Sequence, residues 1–193
     1  MKNIVFDLGG VVFHRDSHKV SRELTDFFSF IFDAEMPRFW EEYDRGAIAY
    51  GDVLDELCRL KGCSRPVAET YLSEAVLRQE AIPETAALIE DLKKAGYALY
   101  VLSNMSREFI DFLRRTEIYG RFDGEVVSCE ERTIKPESRI FRILLDRYGL
   151  NPAETLFVDD RRSNVEAAEK LGIAGFRFGE PAESCARLRG MLL

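Results

Sequence analysis

Only two histidines, His14 and His18, occur in the chain. They stand four residues apart, but no further Cys or His pattern joins them, so a soft-ligand metal centre has little to build on. The four cysteines, Cys58, Cys63, Cys129 and Cys185, form no C-x-x-C pair. With the first strand pattern starting almost at Met1 and no leader before it, four reduced thiols in a cytoplasmic protein are expected. No apolar run approaches the length of a membrane span, so no membrane partner is expected. Surplus positive charge is missing too: 27 Lys and Arg face 34 Asp and Glu, a net charge of −7. Nucleic acid phosphates would be repelled, which excludes a non-specific nucleic acid binder. Internal repeats and low-complexity stretches are also absent.

What the chain does have is apolar content of 46% over 193 residues, enough for one well-packed domain with an inserted subdomain. Short apolar runs end in polar residues: Ile4-Val5-Phe6 in Asp7, Tyr100-Val101-Leu102 in Ser103-Asn104, Leu156-Phe157-Val158 in Asp159-Asp160. Runs of this length read as buried strands. Strands are expected at 3–7, 97–102, 155–158 and 174–178, with a weaker one at 125–128. Helices are expected near 84–95, 106–115, around Ile140–Tyr148 and up to Leu171. Alternation of this kind implies a Rossmann-like parallel sheet with right-handed crossovers. Residues 15–80 show helical periodicity and no strand signal. Val20, Leu24, Phe27, Phe28 and Ile31 fall on one helix face; Phe39, Trp40 and Tyr43 on a second; Val53, Leu54, Leu57 and Leu60 on a third; Val67, Tyr71, Leu72 and Val76 on a fourth. The expectation is an α/β core of 1–14 and 81–193, with a small helical cap, 15–80, inserted after the first strand.

In open α/β sheets, ligands bind beyond the carboxyl ends of the strands. Three carboxylates, a hydroxyl and an amide should therefore converge. Asp7 reads either as a nucleophile or metal ligand, or as a turn former. Asp159-Asp160 reads either as a pair that needs a nearby cation, or as a helix cap. Oxygen-only ligands would favour Mg²⁺. Ser103-Asn104 reads as an oxyanion donor pair or a cap. Lys135 reads either as a solvated surface charge or, with Pro136 fixing the backbone after it, as a positioned cation. Arg45, between two insertion helices, and Arg107, after Ser103-Asn104, read as substrate contacts or as solvated arginines.

Together these elements resemble the haloacid dehalogenase-like hydrolase superfamily. Phe-Asp7-Leu-Gly-Gly-Val-Val is similar to its first motif, Leu-Ser103-Asn104 to the second, Lys135-Pro136 to the third and Val-Asp159-Asp160-Arg-Arg-Ser-Asn164 to the fourth. Four motifs in order are specific where one would be weak. The Asp-x-Gly form of the first motif resembles the subfamily IA branch that includes bacterial glucose-1-phosphate phosphatases, and Ser-Arg-Ile-Phe141 fits that branch as well. The resemblance implies an Mg²⁺-dependent phosphatase of a small phosphorylated metabolite. Asp7 would attack phosphorus and form an aspartyl-phosphate. Asp7, the Gly9 carbonyl and Asp160 would hold the metal, with Asp159 assisting and Asn164 acting through an outer contact. Lys135 would neutralise nucleophile and phosphate, and Ser103 would hold phosphoryl oxygens.

One departure stands out. The family's phosphatases carry an acid two residues after the nucleophile, where this chain has Gly9. General acid–base help is worth roughly 10²–10⁴-fold, so the expectation is a slow enzyme, another proton donor, or a substrate with a good leaving group such as a sugar 1-phosphate. His14 is the nearest substitute proton donor in sequence. Two other classes compete: a haloacid dehalogenase, which needs no metal, and a non-catalytic binding or regulatory protein. A partner beyond the small-molecule phosphate ester is not indicated, and a monomer or a homodimer fits the aromatic-rich insertion equally.

Overall fold

The computed structural model describes residues 1–16, 18–32 and 36–193, with no side chain for Phe32. The chain runs β1 (Asn3–Phe6), β2 (Phe13–His14), α1 (Arg22–Phe27), α2 (Arg38–Asp44), α3 (Tyr50–Lys61), α4 (Arg65–Leu77), β3 (Glu80–Ala81) and α5 (Pro83–Lys94). It continues with β4 (Ala98–Ser103), α6 (Arg107–Leu113), β5 (Gly124–Val127), α7 (Ser128–Glu131) and α8 (Ser138–Tyr148), then β6 (Thr155–Asp159), α9 (Arg162–Glu169), β7 (Ala174–Arg177) and α10 (Pro181–Leu192).

Five strands form one parallel sheet in the order β5-β4-β1-β6-β7. Chain direction across the sheet reverses at β1, because β4 and β5 extend one way and β6 and β7 the other. Such a switch point leaves a crevice beyond the strand ends. Both faces are covered. Ile4 and Phe6 enter one core cluster and Val5 the other, with Phe157 of β6 on the same side as Val5. A strand buried on both sides reads as an unbroken apolar run rather than an alternation, which is why these strands stand out in sequence.

The helical stretch between β2 and β3 departs from its expected pattern in three places. The single face from Val20 to Ile31 is broken: α1 ends at Phe27, and a 3₁₀ turn follows over Ser29–Phe32. Phe28 closes α1 and packs edge-on against Phe27 and obliquely against Trp40. Leu60 and Val67 are exposed; α4 instead buries Ala68, Leu72 and Ala75. The two-residue strands β2 and β3 pair antiparallel, Phe13 with Ala81 and His14 with Glu80. They tie the two ends of the helical stretch together and are too short to leave a periodic signal.

The turn from α2 to α3 is fastened to the body of the protein. Gly46 has φ +71°, and a Cβ there would meet the Cys129 carbonyl oxygen at 2.5 Å. Ser128 Oγ donates to the Asp44 carbonyl, and Arg132 donates to the Gly46 carbonyl. Arg45 donates to Glu137 at 2.6 Å. No helix among the described residues is long and apolar enough to cross a membrane, and all four cysteines are free thiols.

Candidate active site

Asp7 follows β1 directly. Its N–H donates to the Val158 carbonyl at 2.9 Å, so the parallel ladder itself sets it beside the end of β6. One carboxylate oxygen, Oδ1, accepts three hydrogen bonds: from the Leu8 N–H at 2.7 Å, Ser103 Oγ at 2.9 Å and Lys135 Nζ at 2.9 Å. The other, Oδ2, accepts none among the described residues. A carboxylate fixed by one oxygen and open at the other is set up to use the second on a ligand.

Lys135 is only 3% exposed. All three of its protons are placed: on Asp7, on Asp159 Oδ2 at 2.7 Å and on the Leu102 carbonyl at 2.9 Å. Burial pulls the lysine pKa down, but the charges of Asp159 and Asp7 outweigh this and hold it above its ordinary value. Asn104 positions the lysine: its side-chain amide donates to the Lys135 carbonyl at 2.9 Å and accepts from the Lys135 N–H at 2.7 Å. Asn104 also lines the cavity.

Asp159 is fully buried. Besides Lys135 it accepts from the Arg161 N–H at 2.8 Å and from Asn164 Nδ2, 3.1 Å from both oxygens. Asp160 is open to the cavity and is free of such bonds among the described residues. Ligand oxygens of Asp7, Asp159 and Asp160 lie within 4.8 Å of one another. Three carboxylates around one ammonium leave a formal charge of about −2. Burial, opposed by Lys135 and then reinforced by Asp159 and Asp160, pushes Asp7 up to about 6. Asp160 is raised by the same two causes, burial and the charge of Asp159. An all-oxygen cluster with surplus negative charge fits a hard divalent cation such as Mg²⁺.

A cavity of about 350 Å³ opens above this cluster, lined by Asp7, Gly9, Gly10, Asn104, Lys135, Asp160 and Asn164 at its floor. Arg45 and Arg107 are not in its lining. Arg45 pairs with Glu137 at 2.6 Å and Arg107 with Glu130 at 2.7 Å. The expectation that either contacts substrate is therefore corrected. His14 does line the cavity, but the described residues place no Cys, Asp or Glu with His14 and His18 in a three-ligand grouping.

Asp44 also lines the cavity, and the sequence reading passed over it in favour of Arg45. Burial pushes its carboxyl up to about 7, against the opposing charge of Arg161 and a hydrogen bond from the Ser106 backbone. A signal was present: Asp44 is the last residue of α2, where a negative charge opposes the helix dipole.

Asp7 and Asp44 bind protons more tightly in the folded chain than in the unfolded one. Unfolding thus releases protons between about pH 4 and about pH 7, and stability falls as pH rises through that window. In EDTA, the melting temperature at about pH 7.5 is expected to be several degrees below that at about pH 5. A melting temperature that climbs over this interval would show that these carboxyls ionise freely.

An aspartate at the switch point, a buried lysine and an acidic cluster at the next strand end make a site built around a carboxylate on an α/β fold. A model of the haloacid dehalogenase-like hydrolase family matches residues 1–172, and the chain belongs to that family. A sesquiterpene phosphatase from Aspergillus oryzae is 28% identical over 194 residues, 99% of this chain and 96% of that one. An (S)-2-haloacid dehalogenase from Burkholderia cepacia is 32% identical over 116 residues, 58% of this chain and 50% of its own. The crystal structure of a HAD family enzyme from Bacteroides thetaiotaomicron, in complex with magnesium and inorganic phosphate, shares the fold. It has a TM-score of 0.72 at 22% identity, covering 93% of this chain and 94% of that one.

Proposed function

We propose that the protein is an Mg²⁺-dependent phosphatase that hydrolyses a small phosphate monoester through an aspartyl-phosphate. The observation that carries this reading is the acidic cluster: Asp7, Asp159 and Asp160 converge with more negative charge than Lys135 balances, and a divalent cation would balance the rest. A dehalogenase needs no such cluster, since its substrate brings one negative charge and its halide leaves unaided. A non-catalytic protein has no physical need to keep a buried ion pair and an open carboxylate oxygen together.

In this reading one Asp7 carboxylate oxygen attacks phosphorus, and Leu8, Ser103 and Lys135 hold the carboxylate in place. The alkoxide leaves, and water then attacks the acyl phosphate. Asp7, the Gly9 carbonyl and Asp160 would hold Mg²⁺, which when bound neutralises phosphoryl charge. Asp159 anchors Lys135, and Asn164 orients Asp159 from behind. The single Ser103 proton goes to Asp7, contrary to the substrate contact expected for it, so the backbone beyond Ser103 would hold phosphoryl oxygens. Two cavity groups can carry the proton that Gly9 cannot: His14, and Asp44, whose raised pKa lies close to working pH, as a general acid requires. Residues 15–80 serve as a cap over a core of 1–14 and 81–193, and the cytoplasm suits a chain with four free thiols.

The reading is tested by release of phosphate from acetyl phosphate and p-nitrophenyl phosphate in Mg²⁺ and in EDTA. Turnover in Mg²⁺ alone is expected; chloride release from 2-chloropropionate without phosphate release would replace it with the dehalogenase reading. Asp160→Asn is expected to raise the Mg²⁺ concentration needed for half-maximal rate at least about tenfold. An unchanged Mg²⁺ requirement would place the metal elsewhere.

A further inference from the structure

Above the charged floor, the cavity wall changes character. Leu24 of α1, Ile31, Met36, Trp40 of α2, Met105 and Phe109 of α6 line it. The wall is preformed and stiff. The Trp40 ring lies 5.7 Å from Phe28, 5.3 Å from Phe30 and 6.4 Å from Phe109, each tilted or edge-on. Leu24 and Trp40 are held in the same core cluster, so neither turns away to let a polar group in.

Part of the hydrogen-bonding capacity beside this wall is already used. The Arg161 guanidinium donates to the Ile31 carbonyl at 3.2 Å. Gln79 Nε2 donates to the Ala75 carbonyl at 3.3 Å, and the Arg15 guanidinium stacks over Phe28 at 5.4 Å from its centre. A polyol placed against the wall would leave hydroxyls without partners, each costing roughly tenfold or more in binding. A hydrocarbon would instead gain by leaving water. About 350 Å³ lies in the range of pockets that take small organic ligands, roughly 300–1,000 Å³.

From this division we infer that the substrate is the monophosphate of an apolar alcohol, its phosphate on the floor and its hydrocarbon chain along the Leu24–Trp40–Phe109 wall. The inference rests on the phosphatase reading and replaces the sugar phosphate expected from Gly9. The reaction is ordinary hydrolysis: the P–O bond to the alcohol breaks, water supplies oxygen to phosphorus, and the proton ends on the alcohol. A reaction that phosphorylates, or cleaves a diphosphate of, a hydrocarbon alcohol must supply such a substrate.

The test compares kcat/KM in Mg²⁺ for n-hexyl and n-decyl phosphate, below micellar concentrations, with glucose 6-phosphate and ribitol 5-phosphate. Acetyl phosphate serves as the reporter of chemistry alone. The alkyl esters are expected to exceed the polyol esters by at least about 100-fold, with a gain from hexyl to decyl. Met36→Glu, at a half-buried wall position, should reduce activity on decyl phosphate by a larger factor than on acetyl phosphate. Leu24→Asn should do the same, with circular dichroism and melting temperature checking that each variant is folded. Polyol esters hydrolysed as well as or better than alkyl esters, or acetyl phosphate turned over with no alkyl ester accepted, would overturn the inference and leave the phosphatase reading standing. No Mg²⁺-dependent turnover of any of these, acetyl phosphate included, would overturn both.

Discussion

Asp7→Asn is expected to lower Mg²⁺-dependent phosphate release by at least about 10⁴-fold, the scale of removing a covalent nucleophile, while the protein becomes harder to unfold. The two effects share one cause. Asparagine keeps an oxygen in the Oδ1 position, able to accept from Leu8, Ser103 and Lys135, so the local frame persists. It removes the carboxylate that forms the bond to phosphorus. It also removes one of three crowded negative charges, and the rise of the Asp7 pKa to about 6 shows that ionising this carboxyl in the metal-free fold is uphill. Melting in EDTA near pH 7.5 should therefore move upward in Asp7→Asn, and parallel rate measurements should show activity gone. Substantial activity retained in a folded Asp7→Asn protein would remove Asp7 from the role of nucleophile.

Lys135→Met is expected to fail in the opposite way, losing both activity and stability. Methionine matches the stem but leaves Asp7 and Asp159 buried beside each other without their ammonium. Breaking a buried pair by removing one partner costs about 3–5 kcal/mol. The loss of a preorganised positive charge should reduce the rate by roughly 10²–10³-fold. Urea unfolding and initial rates measure the two losses. Adding Asp7→Asn to Lys135→Met should restore part of the stability, because neighbouring charges are not additive. Strictly additive stability losses would mean that Lys135 and Asp7 do not act as a pair.

The parts of this molecule that sequence exposes are those where one residue's environment is set by the chain beside it. Buried parallel strands announce themselves as apolar runs, and Asp7, Ser103 and Asp159 mark their ends. Gly96, Gly149 and Gly172 take positive φ where helices were expected to stop. Lys135 is different. It belongs to no strand, and a lone lysine before a proline reads as a surface charge until the other motifs give it company. Arg45 and Arg107 fail because the pairing partner of a long flexible side chain is chosen in three dimensions: Glu137 is 92 residues from Arg45 in the chain. The broken face at Phe28 fails because a tertiary need, packing against Trp40, ends a helix that periodicity would continue. The cavity wall was hidden for a related reason. Trp40 lies on an apolar helix face in sequence, and in the fold both it and Phe109 are core on one side while the other side meets the cavity.

Gly46 gives the protein a fixed datum. With no room for a side chain against the Cys129 carbonyl, and with Asp44, Arg45 and Gly46 each tied to α7, α8 or the segment between them, this turn cannot drift in descendants of the chain. The floor, governed by charge balance, cannot drift either. Freedom to change is left to the wall, where Met36 is only half-buried. New substrates can thus be acquired by altering a few apolar side chains, while the means of cleaving them is inherited intact.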